Sequence, residues 1–402
     1  MTPKALEPGF GLKVATILFV LFWTVLAAFP LVWIALMSFK LPVDAFATDP
    51  LAVIAGPATR ENRGGLSVIG ILFWLGAAFA FFLAATRLAP RTAAWLGPGG
   101  ARPVGWLATA VLFLLALVLA AVWVVPVLIA GVERVFSFVP LLDRLATPLI
   151  GFTGEHYRAV WVGLGFYNQF FNSMTVTLGT VAISLTVGTL AGYGLARGDS
   201  DWAFWILITA LVFRALPHSV LVTGYLPPFI NSREILQPFW DAPGLGAFLR
   251  LFAENPPTLY GQTWAVILVL VAINQPFTIW MLRSFFLNVP RELDEAARVD
   301  GCTHLGAFWR VVMPVMWPGV ITTGLFSFLL AYNDYLVCSL LLNAQNQTMV
   351  PAITGFFNRE TTVTDQVQAV AAAVSITAPL FLLVMVFQRQ LVSGLTQGAV
   401  KG

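Results

Sequence analysis

Residues 14–37 read VATILFVLFWTVLAAFPLVWIALM and contain no charged side chain over 24 positions. A helix of that length rises about 36 Å, which exceeds the hydrocarbon core of a bilayer at about 30 Å. The run follows Lys4 and Lys13, as the apolar part of a signal peptide would. It is longer than the roughly 7–15 residues typical of that part. The stretch therefore predicts a retained membrane-spanning helix.

Seven further apolar runs follow, and the composition of the whole chain agrees with them. Of the 402 residues, 58% are hydrophobic and only 10% are charged, whereas about a quarter of the residues in a soluble domain are charged. We therefore predict an all-α polytopic membrane protein with about eight transmembrane helices. The predicted spans are 14–37, 66–86, 105–130, 168–195, 203–227, 262–282, 316–342 and 367–388.

The basic residues predict the orientation of these helices. An even number of spans places both termini on one side, and Lys and Arg in short loops are enriched on the cytoplasmic side. The short loop 87–104 has three arginines and no acidic residue, and it falls on the same side as Lys4, Lys13 and Lys401. Both termini are therefore predicted to be cytoplasmic. The net charge of +3 is too small to indicate a nucleic-acid partner.

The densest mixture of charges lies in one predicted cytoplasmic loop, Pro290–Pro318, which reads PRELDEAARVDGCTHLGAFWRVVMPVMWP. Asn288, with a proline two positions on, predicts the start of a helix. Asp294 and Arg298 are four residues apart and can pair on its surface, and Gly301 is suited to ending it. A second short helix is predicted after the glycine, with an apolar stripe of Leu305, Phe308, Trp309 and Val312. On charge alone, an ordinary connecting loop is the alternative.

The spacing within this loop resembles a known motif. Glu-Ala-Ala at 295–297 is followed after three residues by Gly301, and nine residues later by Val-Val-Met-Pro at 311–314. This pattern resembles the EAA loop of ABC importer permeases, whose last four positions are Ile-x-Leu-Pro. In that family the loop is a coupling helix that sits in a cleft of an ATPase subunit. The resemblance assigns ATPase coupling to Glu295, Ala296, Ala297, Asp300, Gly301, Val311, Met313 and Pro314.

The chain has no nucleotide-binding motif of its own. A P-loop places Gly-Lys-Ser/Thr at the start of a helix, and none of the four lysines, Lys4, Lys13, Lys40 and Lys401, has that context. We predict no catalytic residue and no cofactor in this chain, and ATP and Mg bound by a partner ATPase. The three histidines are scattered and the two cysteines have no ligand spacing, so no metal site is predicted.

Two other classes of membrane protein are alternatives. A secondary transporter would carry its own ion site and often internal repeats, and the sequence contains no such duplication. A membrane enzyme, such as a lipid-linked glycosyltransferase, would place an acidic cluster or metal-ligand spacing at a membrane face, and the sequence has neither. Both alternatives leave the Glu-Ala-Ala spacing unexplained.

Other segments resemble the maltose-type carbohydrate permeases, in particular the shorter of their two permease chains. The C-terminal tail 388–402 is very similar to the tail of that family and favours carbohydrate over amino acid or phosphate import. The remaining similar segments are 29–30, Trp33, 38–40, 156–161, 171–173 and 332–334. The resemblance implies a bacterial inner membrane, a second homologous permease, an ATPase dimer and a periplasmic or lipid-anchored sugar-binding protein.

Residues 51–150 depart from that family, whose ordinary members have six spans. The resemblance therefore implies a six-helix ABC importer permease core plus an inserted two-span hairpin. We divide the chain into 1–50 with the first span, 51–150 with the hairpin, and 151–402 with coupling loop 290–318 and tail 388–402. Long members resemble the α-glucoside branch, which favours trehalose, sucrose or maltose; another sugar or a polyol is the alternative. Binding of membrane lipid and bracing of the partner permease are both open as roles of the hairpin.

Polar residues inside the predicted spans are candidates for a translocation cavity. Arg214 lies about 17 Å into its span, where a charge should face protein or water rather than lipid. Asp334 is a candidate to balance that charge, and Pro217 predicts a bend nearby. The alternative role for such residues is hydrogen bonding between helices. The cavity candidates are Arg214, Asn274, Gln275, Asn333 and Asp334.

The predicted external segment 228–260 is rich in Pro, Gly and aromatic residues, which favours an ordered loop over a linker. It is the candidate docking site for the sugar-binding protein in an alternating-access cycle. In that cycle, ATP binding would close the ATPase dimer and the elbow 291–314 would transmit the movement to the spans.

Overall fold

A computed structural model describes residues 9–97, 102–139, 142–198, 201–216, 218–357 and 362–399. Within these ranges the chain is mainly helical, which confirms the predicted all-α polytopic class. The first elements are α1 (Phe10–Ser38), α2 (Pro42–Ala45), α3 (Pro50–Ala55), α4 (Pro57–Arg63), β1 (Gly65–Ser67), α5 (Val68–Leu96) and α6 (Arg102–Leu119). A π-helical turn at Ala120–Val124 then leads into α7 (Val125–Phe136), α8 (Asp143–Ala146), β2 (Pro148–Gly151) and α9 (Glu155–Arg158).

A second π-helical turn, Ala159–Gly163, precedes the remaining helices. These are α10 (Phe166–Arg197), α11 (Asp201–Arg214), α12 (His218–Ile230), α13 (Ser232–Asp241), α14 (Leu245–Arg250), α15 (Thr263–Leu287), α16 (Glu292–Val299) and α17 (His304–Ala307). A third π-helical turn, Phe308–Val312, joins α17 to α18 (Met313–Tyr332), and α19 (Leu336–Leu341), α20 (Met349–Phe357) and α21 (Val363–Ala399) follow. Helices α13 and α14 lie in the segment 228–260, which agrees with the ordered loop predicted there.

Seven helical stretches among the described residues are long and apolar enough to cross a membrane. They are Phe10–Ser38, Val68–Leu96, Ala108–Phe136, Phe166–Arg197, Thr263–Leu287, His304–Tyr332 and Val363–Gln388. The predicted span 203–227 is divided into α11 and α12, of 14 and 13 residues, which agrees with the bend predicted there. Pro217 itself lies outside the described residues; in the sequence, a proline disfavours helical geometry at the residue before it. The predicted span 316–342 ends early, at Tyr332.

The described residues divide into two compact units. The first unit lies within Met1–Trp74, Leu128–Leu164 and Phe356–Ser375. It contains the one departure from a purely helical fold in the described ranges, an antiparallel pairing of β1 with β2 that aligns Gly65 with Gly151. A side chain at position 65 would collide with the Ile150 carbonyl, since an added Cβ would lie 2.0 Å from that oxygen.

A buried lysine joins the loops of this first unit. The Lys40 Nζ atom donates to the carbonyl oxygens of Ile54, at 2.9 Å, and Gly151, at 2.5 Å. Burial lowers the pKa of the Lys40 amine, and the nearby Asp44 carboxylate opposes that shift. Asp44 in turn accepts hydrogen bonds from the backbone N–H and the hydroxyl of Thr59, both at 2.6 Å. The chain segments on either side of β1 and β2 are therefore tied together by polar contacts.

The second unit lies within Leu75–Val127, Gly165–Gly355 and Ile376–Gly402, and its centre is the packing of α10, α15 and α18. Small residues on α10 allow this approach: a Cβ at Gly188 would lie 2.7 Å from the Thr278 methyl carbon. Close packing over glycine is a common way to join membrane helices. The three helices thereby support the segment 290–318 at one end and the end of α18 at the other.

Helix α6 and the part of α5 from Leu75 onward, which lie in the predicted hairpin region 51–150, belong to this second unit. These two helices approach each other closely, since a Cβ at Gly105 would lie 2.2 Å from the Ala93 carbonyl oxygen. Ala85 and Ala89 of α5 are buried in one apolar cluster with Phe113 of α6. The same cluster includes Leu325 of α18, and Leu382, Met385, Val386 and Phe387 of α21.

Candidate coupling site and translocation surface

The Glu-Ala-Ala motif lies on α16, a short helix with a well-defined end. Gly301 has φ +87°, a left-handed conformation that favours glycine. Its N–H donates to the Arg298 carbonyl at 3.1 Å, and the Cys302 N–H donates to the Ala297 carbonyl at 2.9 Å. These two bonds form a Schellman motif. The glycine therefore ends the helix, as predicted.

The predicted start of this helix at Asn288 is wrong. Helix α15 continues to Leu287, and α16 begins only at Glu292. The Asn288 side chain explains the difference, because its Nδ2 atom donates to the Ser284 carbonyl at 3.1 Å. The amide therefore bonds back to the preceding helix and does not cap the following one.

The second helix of the elbow is not short. Helix α17, a π-helical turn and α18 form one membrane-length stretch, His304–Tyr332. At the junction, the Met313 N–H bonds to the Phe308 carbonyl, five residues back. Pro314 follows and has no N–H to donate. The Val-Val-Met-Pro end of the motif is therefore the point where the elbow enters a membrane helix.

The eight predicted coupling residues separate into two groups by exposure. The exposed group can meet a partner protein, and its members are Glu295, Ala296, Asp300 and Gly301. The other group packs at least partly within this chain, and its members are Ala297, Val311, Met313 and Pro314. Ala297 is only 5% exposed and Met313 only 3%. Of the two alanines in the motif, Ala296 alone is therefore free for close approach by a partner.

Apolar side chains extend the exposed surface of the elbow. The predicted stripe on the second helix is divided, with Phe308 and Val312 in the core and Leu305 and Trp309 exposed. Val299, at the end of α16, is 86% exposed. Together with Glu295 and Arg298, it lines a shallow concavity that continues to His304. The elbow thus presents both charge and apolar surface to its surroundings.

An ion pair fixes α16 to a membrane helix. The Arg197 Nε atom, at the end of α10, donates to Oδ2 of Asp294 at 2.7 Å. The other guanidinium nitrogens donate to the carbonyls of Phe286, at 3.2 Å in the last turn of α15, and of Val289, at 3.0 Å just after that helix. The Tyr193 hydroxyl donates to the second carboxylate oxygen of Asp294 at 2.6 Å. We call Tyr193, Arg197 and Asp294 the α16 clamp.

The sequence did not indicate this clamp. Helical spacing paired Asp294 with Arg298, whereas the structure pairs it with an arginine 97 positions away. In the sequence, Arg197 is one of several basic residues near the ends of the predicted spans. One usable signal was the single turn separating Tyr193 from Arg197, which places both side chains on the same face of α10.

Two of the five cavity candidates join helices within the second unit. The Asn274 amide is 4% exposed and donates to the Ser327 hydroxyl at 2.8 Å, linking α15 to α18. Gln275 donates from Nε2 to the Ser184 carbonyl at 3.3 Å, linking α15 to α10. Both side chains therefore make hydrogen bonds between helices, the kind of contact given above as the alternative to cavity lining.

Asn333 and Asp334 instead line an open concavity of about 520 Å³ at the end of α18. Asp334 Oδ1 accepts the N–H groups of Val337, at 2.9 Å, and Cys338, at 3.2 Å, so the carboxylate caps α19. Phe326, Leu329, Leu330, Tyr335 and Leu336 complete the lining. Amide, carboxylate, phenol and aromatic groups thus surround one open space.

Arg214 and Asp334 have separate partners in the structure, so the ion pair suggested by the sequence does not form among the described residues. The Arg214 Nε atom donates to the Ile273 carbonyl at 3.1 Å, and its guanidinium carbon lies 5.0 Å from the centre of the Phe277 ring. Phe277 packs edge to face on Phe326, with ring centres 6.3 Å apart. Because Phe326 lines the concavity, Arg214 supports its wall through two aromatic rings.

Comparison with known proteins identifies the class to which these features belong. Residues 184–397 match the family described as "Binding-protein-dependent transport system inner membrane component". The matched region is a little over half of the chain and contains the elbow, the α16 clamp and the concavity. The chain belongs to this family, which confirms the predicted class of ABC importer permeases. The members of this class are multi-pass transport subunits rather than enzymes.

Individual relatives agree with the maltose-type branch. The chain is 30% identical to the trehalose transport system permease protein SugB of Mycobacterium tuberculosis over 251 residues, 62% of this chain and 82% of the relative. It is 32% identical to the diacetylchitobiose uptake system permease protein DasC of Streptomyces coelicolor over 252 residues, 62% and 81% of the two chains. A bacterial ABC transporter involved in alginate import aligns with 71% of this chain and 96% of its own at 18% identity and a TM-score of 0.46.

Proposed function

We propose that this chain is the shorter-type permease of a bacterial ABC importer that moves a sugar inward by ATP-driven alternating access. The family match supports the transport role, and the names of the two relatives, which carry different sugars, support a carbohydrate substrate. An α-glucoside such as trehalose, sucrose or maltose is the specific proposal. Another sugar or a polyol is the alternative.

The α16 clamp is the observation that carries the coupling part of the proposal. ATP and Mg would be bound by a separate ATPase dimer that contacts the exposed residues of α16, with Glu295 offering a carboxylate to a basic partner. Force applied to α16 would pass through Asp294 to Arg197 and thereby to α10 and to the end of α15. A partly buried ion pair with several hydrogen bonds is stronger than an exposed pair, so we expect α16 and α10 to move together.

The concavity at the end of α18 is the proposed surface for the sugar in this subunit. Sugars present hydroxyl groups that amides and carboxylates bind, and apolar ring faces that pack on aromatic side chains. Asn333, Asp334 and Tyr335 supply the first kind of contact, and Phe326 supplies the second. A homologous permease is expected to close the opposite side of the pathway.

The remaining partners and the orientation follow from the same proposal. With α11 and α12 together as the eighth crossing beside the seven long helices, both termini would be cytoplasmic in the bacterial inner membrane, so the elbow at 290–318 faces the ATPase. The segment 228–260, with α13 and α14, would face outward toward a periplasmic or lipid-anchored sugar-binding protein. A cysteine introduced at Glu295 should therefore be protected from a membrane-impermeant thiol reagent added outside intact cells. Labelling from outside would contradict this orientation.

Reconstitution of the whole importer tests the function. We expect the chain to copurify with a second permease and an ATPase. Proteoliposomes should accumulate sugar only when ATP is inside the vesicles and the binding protein is outside them. Vanadate should stop uptake. Uptake that needs an ion gradient but no ATPase would instead support a secondary transporter. Competition among trehalose, sucrose, maltose and a polyol for the binding protein would identify the substrate.

A further inference from the structure

Helix α5 of the hairpin carries an exposed face with two arginines and a tryptophan, and the proposed transport role gives this face no function. Arg87, Arg91 and Trp95 follow one another at intervals of four residues on α5, and all three are exposed. Residues at that spacing lie on one face of a helix. Trp95 is 80% exposed, as expected for a side chain that faces the membrane rather than the interior of the protein.

Packing on the opposite side of α5 fixes the direction of this face. Ala85, Ala89 and Ala93 have the same spacing, offset by two positions, and are at most 2% exposed. The first two belong to the apolar cluster with α18 and α21. Because a shift of two residues turns about 200° around a helix, the face with the two arginines points away from this cluster.

The length of α5 places this face at the depth of lipid headgroups. The helix has 29 residues, about 43 Å, whereas the hydrocarbon core is about 30 Å thick. If the apolar part begins at Val68, that thickness is crossed at about Arg87, and Arg91 and Trp95 lie about 6 and 12 Å farther along. Tryptophan is enriched at this boundary, and arginine near it extends its guanidinium to the headgroups.

The charge of this face is not neutralised within the hairpin. Residues 68–132 contain no Asp or Glu, and in the part of the chain that the structure describes neither Arg87 nor Arg91 has an acidic partner. A guanidinium binds phosphate through two parallel hydrogen bonds, and two of them one turn apart can bind one phosphodiester together. We propose that Arg87, Arg91 and Trp95 form a binding site for the headgroup of an anionic phospholipid.

Lipid competition on the purified, assembled protein tests this site directly. The probes are fluorescent phosphatidylglycerol and phosphatidylcholine with identical acyl chains. Each Lys or Arg near an anionic surface contributes about 1 kcal/mol, so we expect the native protein to prefer phosphatidylglycerol by roughly 30-fold. R87Q/R91Q should reduce this preference to near unity. R87K/R91K should keep part of it, because charge remains while the paired hydrogen bonds are lost.

A matched control removes the same charge elsewhere. Arg144 and Arg158 are also exposed and lie outside the membrane-length helices, and R144Q/R158Q should leave the lipid preference unchanged. Thermal unfolding in detergent checks that every variant is folded. Equal binding of both lipids by the native protein would overturn the proposal, as would a preference that survives in R87Q/R91Q. Loss of the second permease from R87Q/R91Q, with lipid preference intact, would show instead that this face braces a protein.

Discussion

Arg197 and Asp294 are 97 positions apart in sequence and 2.7 Å apart in space, and their contact joins the motif-bearing helix α16 to the membrane helix α10. The two side chains are only 15% and 13% exposed. Solvent therefore screens this pair less than an ordinary surface pair. The same guanidinium also binds two carbonyls at the end of α15, so a single residue connects three helices.

Replacing Asp294 by Asn should uncouple ATP hydrolysis from transport. The amide keeps the shape of the side chain but removes the charge that holds Arg197, and hydrogen bonds to charged groups contribute about 1.5–3 kcal/mol. We expect the ATP consumed per sugar transported to rise several-fold in proteoliposomes. D143N, which makes the same change at an exposed aspartate on α8, is the control and should keep the native ratio. A native ratio in D294N would remove the clamp from the coupling path.

Tyr193 should act through Asp294 rather than independently. Y193F removes one hydrogen bond of 2.6 Å, so we expect a loss of about 1 kcal/mol in stability. A double-mutant cycle with D294N measures the coupling between the two residues. We expect the double variant to be little less stable than D294N alone, by thermal unfolding of the assembled complex. Fully additive losses would mean that the tyrosine stabilises the fold without the carboxylate.

The features that could be predicted from the sequence are those set by residues close together in the chain. Long apolar runs predict spans because a chain in lipid must satisfy its backbone hydrogen bonds within a helix. Gly301 predicts a helix end because glycine adopts the left-handed conformation without steric cost. The α16 clamp depends on contacts between distant segments, which no spacing reveals. Ala297 shows the same limit, because the motif groups it with Ala296 but packing within the chain buries it.

The backbone at Gly301 should tolerate Asn better than Ala. An added Cβ there meets no atom within 4 Å, so only the left-handed conformation opposes substitution, at roughly 1–2 kcal/mol for an ordinary residue. Asn adopts this conformation more readily. We expect G301A to weaken binding of the ATPase in a pull-down assay and G301N to retain most of it. If both variants lost ATPase binding equally, the ATPase would require the absence of a side chain at position 301 rather than the left-handed turn.

Folding of the first unit should weaken in mild acid through His156. Its Nε2 atom lies 3.0 Å from the Lys40 carbonyl oxygen, and burial lowers the pKa of its imidazole. Glu155 and that carbonyl oppose the shift, while Arg63 reinforces it. Because the unfolded chain binds the proton more readily than the folded one, stability is complete above the ordinary histidine pKa of about 6.5 and falls as pH decreases toward the lowered value.

The variant H156Q tests this pH dependence. Glutamine can replace the hydrogen bond but does not titrate, so its thermal unfolding temperature should change less than that of the native protein between about pH 7 and pH 5. H304Q is the control, since His304 is exposed, and it should follow the native profile. If H156Q lost stability with acid as steeply as the native protein, the responsible group would lie elsewhere.

The carboxylate of Asp334 offers the sharpest test of the concavity, because Asn can replace it as a helix cap. Asp334 Oδ1 accepts two backbone N–H groups of α19, and an Asn side-chain oxygen accepts the same bonds at nearly equal stability. D334N should therefore assemble with its partners normally yet transport sugar at least several-fold more slowly, as measured in proteoliposomes. D365N changes another capping carboxylate, which accepts the Thr362 hydroxyl at 2.9 Å, and should transport at the native rate. Native transport by D334N would limit Asp334 to capping and exclude its charge from the sugar pathway.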